Sequence, residues 1–336
     1  MIINLGSLGI NWKGEFKCKN IGRQLDKIIP ITQKTPDSNL WINRENKKLE
    51  FIKEVDRGSY GRICLCRRWT EQRGEHYVFT KIFKHTSKRM NESFIKEAVI
   101  QKLVANCLQE HGFERGCPDV FDIFKLYDGT ICFSMEMFYG SERMDTFIKK
   151  FDKSNIVNFT SFIIELIVQI VIMLDILQNN LGLNHRDLNT SNILIQKQSK
   201  YTSINLEQIL NKKMSISTRY YITIIDFGIS CMGCNVQLGS IYPINDLCPK
   251  PGRDIFLFIT LFFCDFGKYI VGPLRYCFKK WIEKDYGGTF SGRKLWKFLN
   301  RFEKSDYWIY WLSSQSQIQE FPYFSASIIK DLEGLG

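Results

Sequence analysis

Residues 184–195 read "NHRDLNTSNILI". His185, Arg186, Asp187, Asn189 and Asn192 are set between two apolar runs. Upstream, Phe159 to Asn179 is apolar nearly all round and predicts a long buried helix. Downstream, "NILIQ" predicts a strand. A polar cluster so placed is either a turn between buried elements or a loop that does chemistry. A second acidic loop follows, Asp226-Phe-Gly228, directly after the strand pattern "YYITII". Another Asp-Phe-Gly, at Asp265–Gly267, comes after an apolar helix and reads as a helix-end turn.

Working back towards the N-terminus, "LEFIKEV", "GSYG" and "RICLCRRW" predict strand, glycine turn and strand from Leu49. "HYVFTKIFK" predicts a third strand, with Val78 and Thr80 on one face and Phe79 and Lys81 on the other. In "NESFIKEAVIQKLVANCL" the residues Ile95, Ala98, Val99, Leu103 and Val104 recur at helical spacing. "DIFKLYD" and "TICFSMEMF" predict two more strands about Asp128-Gly129. These features predict an α+β chain: a small antiparallel β lobe with one helix over 49–139, then a mainly helical lobe over 140–336. Residues 1–48 form an extension, and the Ser-, Lys-, Asn- and Gln-rich stretch near 197–219 reads as an insertion or partly helical loop.

Each polar feature has a use for a nucleoside triphosphate. Glycines at Gly58 and Gly61 let backbone N–H groups approach phosphate oxygens. Lys81 supplies a compact positive charge, and Glu97 on the following helix can hold it in place. Asn192 and Asp226 offer hard oxygens for Mg²⁺. Asp187 can accept the proton of an attacking hydroxyl. Singly, each signal is weak. The His-Arg-Asp-Leu-x-x-x-Asn spacing together with Asp226-Phe-Gly228 is specific.

With these motifs the chain, from about Leu49 to about Phe263, resembles the eukaryotic protein kinase superfamily. The resemblance implies a bilobal kinase-like fold with a reduced C-lobe, ATP and Mg²⁺ as substrate and cofactor, and ATP in the cleft. It implies Asp187 as catalytic base, Lys81 and Glu97 as the ion pair, and Asn192 and Asp226 as metal ligands. Gly58, Ser59, Tyr60, Gly61 and Ile63 would cover the nucleotide. Met135 would be the gatekeeper, the Glu136 carbonyl and Phe138 amide would meet adenine, and Glu142 would approach the ribose. Gly252-Arg253-Asp254 resembles the buried Asp that braces the catalytic loop.

Three residues depart from the pattern. Asp56 stands where a loop glycine is usual, which implies weakened phosphate affinity. Phe79 shares a face with Lys81 where a small residue is usual, which implies a crowded base pocket. Asn189 replaces the loop lysine common in Ser/Thr kinases, so one phosphate-stabilising charge is missing. No Ala-Pro-Glu signature follows Asp226. The readings left open are a divergent kinase acting on Ser/Thr hydroxyls of a protein substrate, a pseudokinase scaffold, and a kinase of a small molecule.

The net charge of +11 favours acidic partners, and nucleic acid is not indicated beyond that charge. No signal peptide is visible. The 11 Cys have no repeating frame, which predicts free thiols in a reducing compartment, the cytoplasm. Cys231-Met-Gly-Cys234 with Cys248 supplies only three sulfurs, one ligand short of a structural zinc site. The runs 162–177 and 255–263 predict buried helices and no transmembrane segment. The Ile-, Lys-, Asn- and Phe-rich composition resembles that of kinases of large cytoplasmic DNA viruses, which implies host cytoplasm or a virion.

Overall fold

The structure is a computed structural model. It describes residues 33–34, 40–42, 48–58, 61–70, 74–84, 88–126, 130–205, 215–232, 250–283, 291–301, 309, 312, 318, 321, 325–333 and 335. Two compact units are present. One comprises Met1–Asn106 with Cys117–Tyr139, the other Cys107–Gly116 with Gly140–Gly336. The class is α+β.

The first unit is built on one antiparallel sheet. Its strands are β1 (Gln33–Lys34), β2 (Leu40–Ile42), β3 (Lys48–Arg57), β4 (Gly61–Thr70), β5 (Gly74–Phe83), β6 (Val120–Lys125) and β7 (Ile131–Met135), in the order β1-β2-β3-β4-β5-β7-β6. Two strands thus come from the N-terminal extension and continue the sheet beyond β3. Alternation divides the sheet. One face gathers Leu49, Cys64, Cys66, Val78, Ile82, Phe124 and Cys132 into an apolar cluster. The other presents Ile63, Leu65, Phe79, Lys81, Phe133 and Met135, by the registers Ile63↔Lys81↔Phe133 and Leu65↔Phe79↔Met135. Helix α1 (Lys88–Glu110) meets this second face where Phe94 stacks on Phe83, with ring centroids 3.5 Å apart.

In the second unit β8 (Glu142–Arg143) precedes α2 (Met144–Lys150) and α3 (Ile156–Leu181). Asn155 caps α3 by accepting the Asn158 N–H at 3.0 Å, and Gly182 closes it in a left-handed conformation, φ 55°. Helix α3 is long and apolar enough to cross a membrane by length and composition, and it is mostly buried inside the protein. Strands β9 (Ile193–Asn205) and β10 (Ser215–Ile224) form a long hairpin that completes a sheet of order β10-β9-β8. Helices α4 (Arg253–Phe266), α5 (Gly272–Ile282), α6 (Gly292–Leu299) and α7 (Ser325–Glu333) follow. Asp331 of α7 accepts from Trp281 Nε1 at 3.0 Å and pairs with Lys280 at 2.6 Å, tying α7 to α5.

Two expectations are corrected. The polar stretch near 197–219 is not a partly helical loop where it is described: residues 197–205 and 215–219 extend the β9–β10 ladder, with Thr218↔Thr202 and Ile216↔Ile204 in register. Each strand satisfies the other's backbone groups, and this decides the conformation despite the polar composition. The thiols are also not uniformly free. Seven described cysteines are, and burial pushes the Cys66 thiol up to about 11 and the Cys107 thiol up to about 12, which disfavours the thiolate. Cys231, however, is disulfide-bonded. Spacing in sequence does not report which sulfur the fold brings to a partner. The Cys231 backbone is itself held to Asn184 by two hydrogen bonds of 2.8 and 2.9 Å. Cys234 and Cys248 lie outside the described residues.

Candidate functional site

The candidate residues fall in both units, and each set is built by its own unit. In the first, a turn joins β3 to β4, with the Gly58 N–H donating to the Gly61 carbonyl at 2.9 Å. Gly61 has a steric reason to be glycine. A Cβ there would lie 2.6 Å from the Ile82 carbonyl oxygen on the neighbouring strand, whereas one on Gly58 would meet nothing closer than 3.9 Å. Ser59 and Tyr60 lie outside the described residues. Asp56 is exposed, and its Oδ1 accepts the Arg57 N–H at 2.8 Å.

Lys81, on β5, forms an ion pair with Glu97 of α1. Glu97 is 3% exposed, so its charge is withdrawn from water and depends on this partner. The ammonium also lies 5.6 Å from the centre of the Phe83 ring. Ile63 stands directly across from Lys81, and Phe79, half-buried, lies two residues along the same face. Strand β7 ends at Met135, whose sulfur accepts from Gln101 Nε2 at 3.3 Å. Glu136 follows outside the strand with its N–H on the Asp119 carbonyl at 2.8 Å, and the Phe138 side chain is buried.

In the second unit the loop 184–192 is held by backbone and carboxylate contacts. Asp254, in the first turn of α4, accepts the His185 N–H at 2.7 Å and the Arg186 N–H at 2.9 Å. His185 Nε2 lies 2.9 Å from the Ile225 carbonyl, and the Asp187 N–H reaches Nδ1 at 3.3 Å. The tautomer that satisfies both bonds carries its hydrogen on Nε2. The Asp187 carboxylate is then fixed on both oxygens: Asn189 Nδ2 donates to Oδ1 at 3.1 Å and Asn192 Nδ2 to Oδ2 at 3.0 Å. Asn192 is left with its Oδ1, a hard neutral oxygen.

The ladder carries this arrangement to the second acidic loop. Ile193 pairs with Ile224, and the Ile225 N–H donates to the Asn192 carbonyl at 3.0 Å, so the strand delivers Asp226 beside Asn192. Asp226 is exposed, and Phe227 is buried with its ring 4.9 Å from that of His185. Among the described residues Arg186 (φ 68°) and Asp226 (φ 66°) are the non-glycine residues with positive φ. That backbone costs about 1–3 kcal/mol per residue and persists only where the surroundings impose it. Both residues belong to the loops that the sequence singles out.

The structure therefore brings Asp187, Asn192 and the Asp226 loop together, and separately brings Lys81, Glu97 and Ile63 together. Glu142, in β8, pairs with Lys150 at 2.5 Å and borders a pocket of about 360 Å³ walled by Phe147, Phe151 and Lys197. Among the described residues no group of three or more His, Cys, Asp or Glu side chains is placed to hold a metal ion. Asn192 Oδ1 and the exposed Asp226 carboxylate are two hard oxygens, the partial set with which Mg²⁺ binds when phosphate oxygens and water complete its shell. Sequence reasoning missed the contact of Asn189 with Asp187. It noted the missing charge, but the direction of the amide is set by the Thr190–Asn192 turn, whose Ser191 N–H donates to Asn189 Oδ1 at 2.8 Å. No family model matches the chain, and no curated protein matches it significantly.

Proposed function

We propose that the chain is an ATP- and Mg²⁺-dependent protein kinase of divergent, bilobal kinase-like fold that phosphorylates Ser/Thr hydroxyls of a protein substrate. The observation that carries the reading is the loop 185–192: a carboxylate fixed on both oxygens, next to a strand-end aspartate, with left-handed backbone at Arg186 and Asp226. In this reading Asp187 takes the proton of the attacking hydroxyl. Its two amide donors hold the carboxylate in one orientation, so no search over rotamers precedes proton transfer. Lys81, kept in place by Glu97, meets phosphate oxygens, as do the backbone groups of the 58–61 turn. The backbone of Glu136 and Phe138 recognises the base. Glu142 turns from Lys150 to the ribose. Mg²⁺, held through Asn192 and Asp226, supplies neutralisation of phosphate charge.

Phe79 favours a second reading, a pseudokinase that keeps the fold without turnover, because its ring stands on the face that carries Lys81. A kinase of a small molecule is the third. Two measurements separate them. Mg·ATP is expected to raise the melting temperature of the wild type and not that of Asp226→Ala, and the absence of any shift in the wild type would remove both kinase readings. Label from γ-labelled ATP is expected on protein and to be lost in Asp187→Ala, whereas label confined to small metabolites would establish the third reading.

A further inference from the structure

The second Asp-Phe-Gly, at the end of α4, has no part in the function proposed above, yet it touches the same loop. Asp265 lies in the last turn of α4, and its Oδ2 accepts the Thr190 hydroxyl at 3.0 Å. Thr190 is 2% exposed and Asp265 is half-buried, so the donor side of this contact is withdrawn from water. Asp254 lies in the first turn of the same helix. Eleven residues separate the two carboxylates, close to three helical turns, so they leave α4 on one face roughly 16 Å apart. Asp254 takes the backbone at the beginning of the loop, His185 and Arg186. Asp265 takes its end, the turn Thr190–Asn192. That turn is the part on which the Asp187 carboxylate depends, because Asn192 Nδ2 reaches both Asp187 Oδ2 and the Asp187 carbonyl, at 3.0 and 2.8 Å.

We infer that Asp265, acting through the Thr190 hydroxyl, is a positioning residue that fixes the turn from which Asn192 holds Asp187. The helix is then a two-point clamp. With the Asp265 contact removed, the loop stays anchored at 185–186, and the turn Thr190–Asn192 loses its tie to α4 and loosens, Asn192 being then held by its bond to Ile225 and by the loop itself. The catalytic consequence rests on the kinase reading above; the hold on the turn rests on the geometry alone.

Thr190→Val keeps the shape of the side chain and removes the donor, and Thr190→Ser restores it. Amide hydrogen exchange in the full chain reads the turn without any reaction. Thr190→Val is expected to speed exchange at Ser191 and Asn192 by about ten-fold or more while His185 and Arg186 stay protected, and Thr190→Ser is expected to match the wild type. Asp265→Ala should reproduce Thr190→Val, with the double variant no worse than either. If Asp265→Ala does not fold, Thr190→Val decides alone. In the phosphotransfer assay Thr190→Val is expected to lower kcat about 10- to 100-fold with KM for ATP within about two-fold, and Thr190→Ser to recover it. Unchanged exchange at Ser191 and Asn192, or equal loosening across 185–192, would overturn the inference. A wild type that transfers no phosphate would instead sink the kinase reading, while exchange still shows whether Asp265 holds the turn.

Discussion

Gly61 and Gly58 look alike in sequence, and the structure gives them different reasons to be glycine. Gly61 opens β4 so close to β5 that a methyl group would strike the Ile82 carbonyl. Since both sides of that contact are backbone, the two strands must part. Gly61→Ala is expected to cost about 1–3 kcal/mol, measured by denaturant unfolding. Gly58→Ala, with open space at its Cβ, should stay within about 0.5 kcal/mol. If Gly58 serves a nucleotide, its alanine variant will lose Mg·ATP binding without losing stability. Equal destabilisation of the two variants would contradict the strand-contact argument. At this scale the sequence is legible in residue type and spacing. Asp187, Asn192 and Asp226 can be picked out as candidates because a carboxylate or an amide is recognised by its type and spacing alone. What Asn189 does depends on where its amide points, and neither its type nor its neighbours in sequence state that.

The β9–β10 hairpin is docked on α3 by a small buried network. Thr218, at a bulge in β10, donates to Glu165 Oε2 at 3.0 Å and accepts from Gln169 Nε2 at 3.0 Å and from the Tyr220 N–H at 3.0 Å. Burial raises the Glu165 carboxyl above its usual range, partly opposed by the Thr218 hydroxyl. A carboxyl raised in the folded state binds its proton more tightly there than in the unfolded chain. Its contribution is therefore fully present at acid pH and is lost as pH rises through the folded value. Glu165→Gln removes that loss. The difference in melting temperature, variant minus wild type, is expected to grow from about pH 4 to about pH 8. A difference independent of pH would show that Glu165 titrates as it does unfolded. The hairpin is also where reading the sequence fell shortest. Its serines, lysines and asparagines look like loop residues, and the pairing that makes them strand lies across the hairpin, beyond local composition. Long periodic elements such as α3 and β3–β5 were legible because their pattern is local and repeated.

For the molecule as a whole, the division into units does not follow the chain. Cys107–Gly116 belongs to the second unit although it interrupts the first in sequence. Thr223 Oγ1 donates to the Arg115 carbonyl at 2.7 Å, and the Ile224 N–H to the Gly116 carbonyl at 2.8 Å. Leu108 and Phe113 are buried. A fragment starting at Gly140 lacks these partners. It is expected to be cleaved by protease faster than the full chain and to lose exchange protection at Ile224, and equal resistance would show the segment to be dispensable. From sequence the boundary near Tyr139 is readable as a change of element type, but the early segment's allegiance is not, since its partners lie far downstream.

That connectivity also bears on how the protein is made. Residues 107–116 leave the ribosome before their hydrogen-bond partners in β10 exist. Those partners follow after about 110 residues, a delay of roughly 5–20 s at ordinary rates of synthesis. During that interval Leu108 and Phe113 have no second unit to enter and are available to chaperones or to other nascent chains. The speed of translation between the two segments thus becomes a variable in the yield of folded protein.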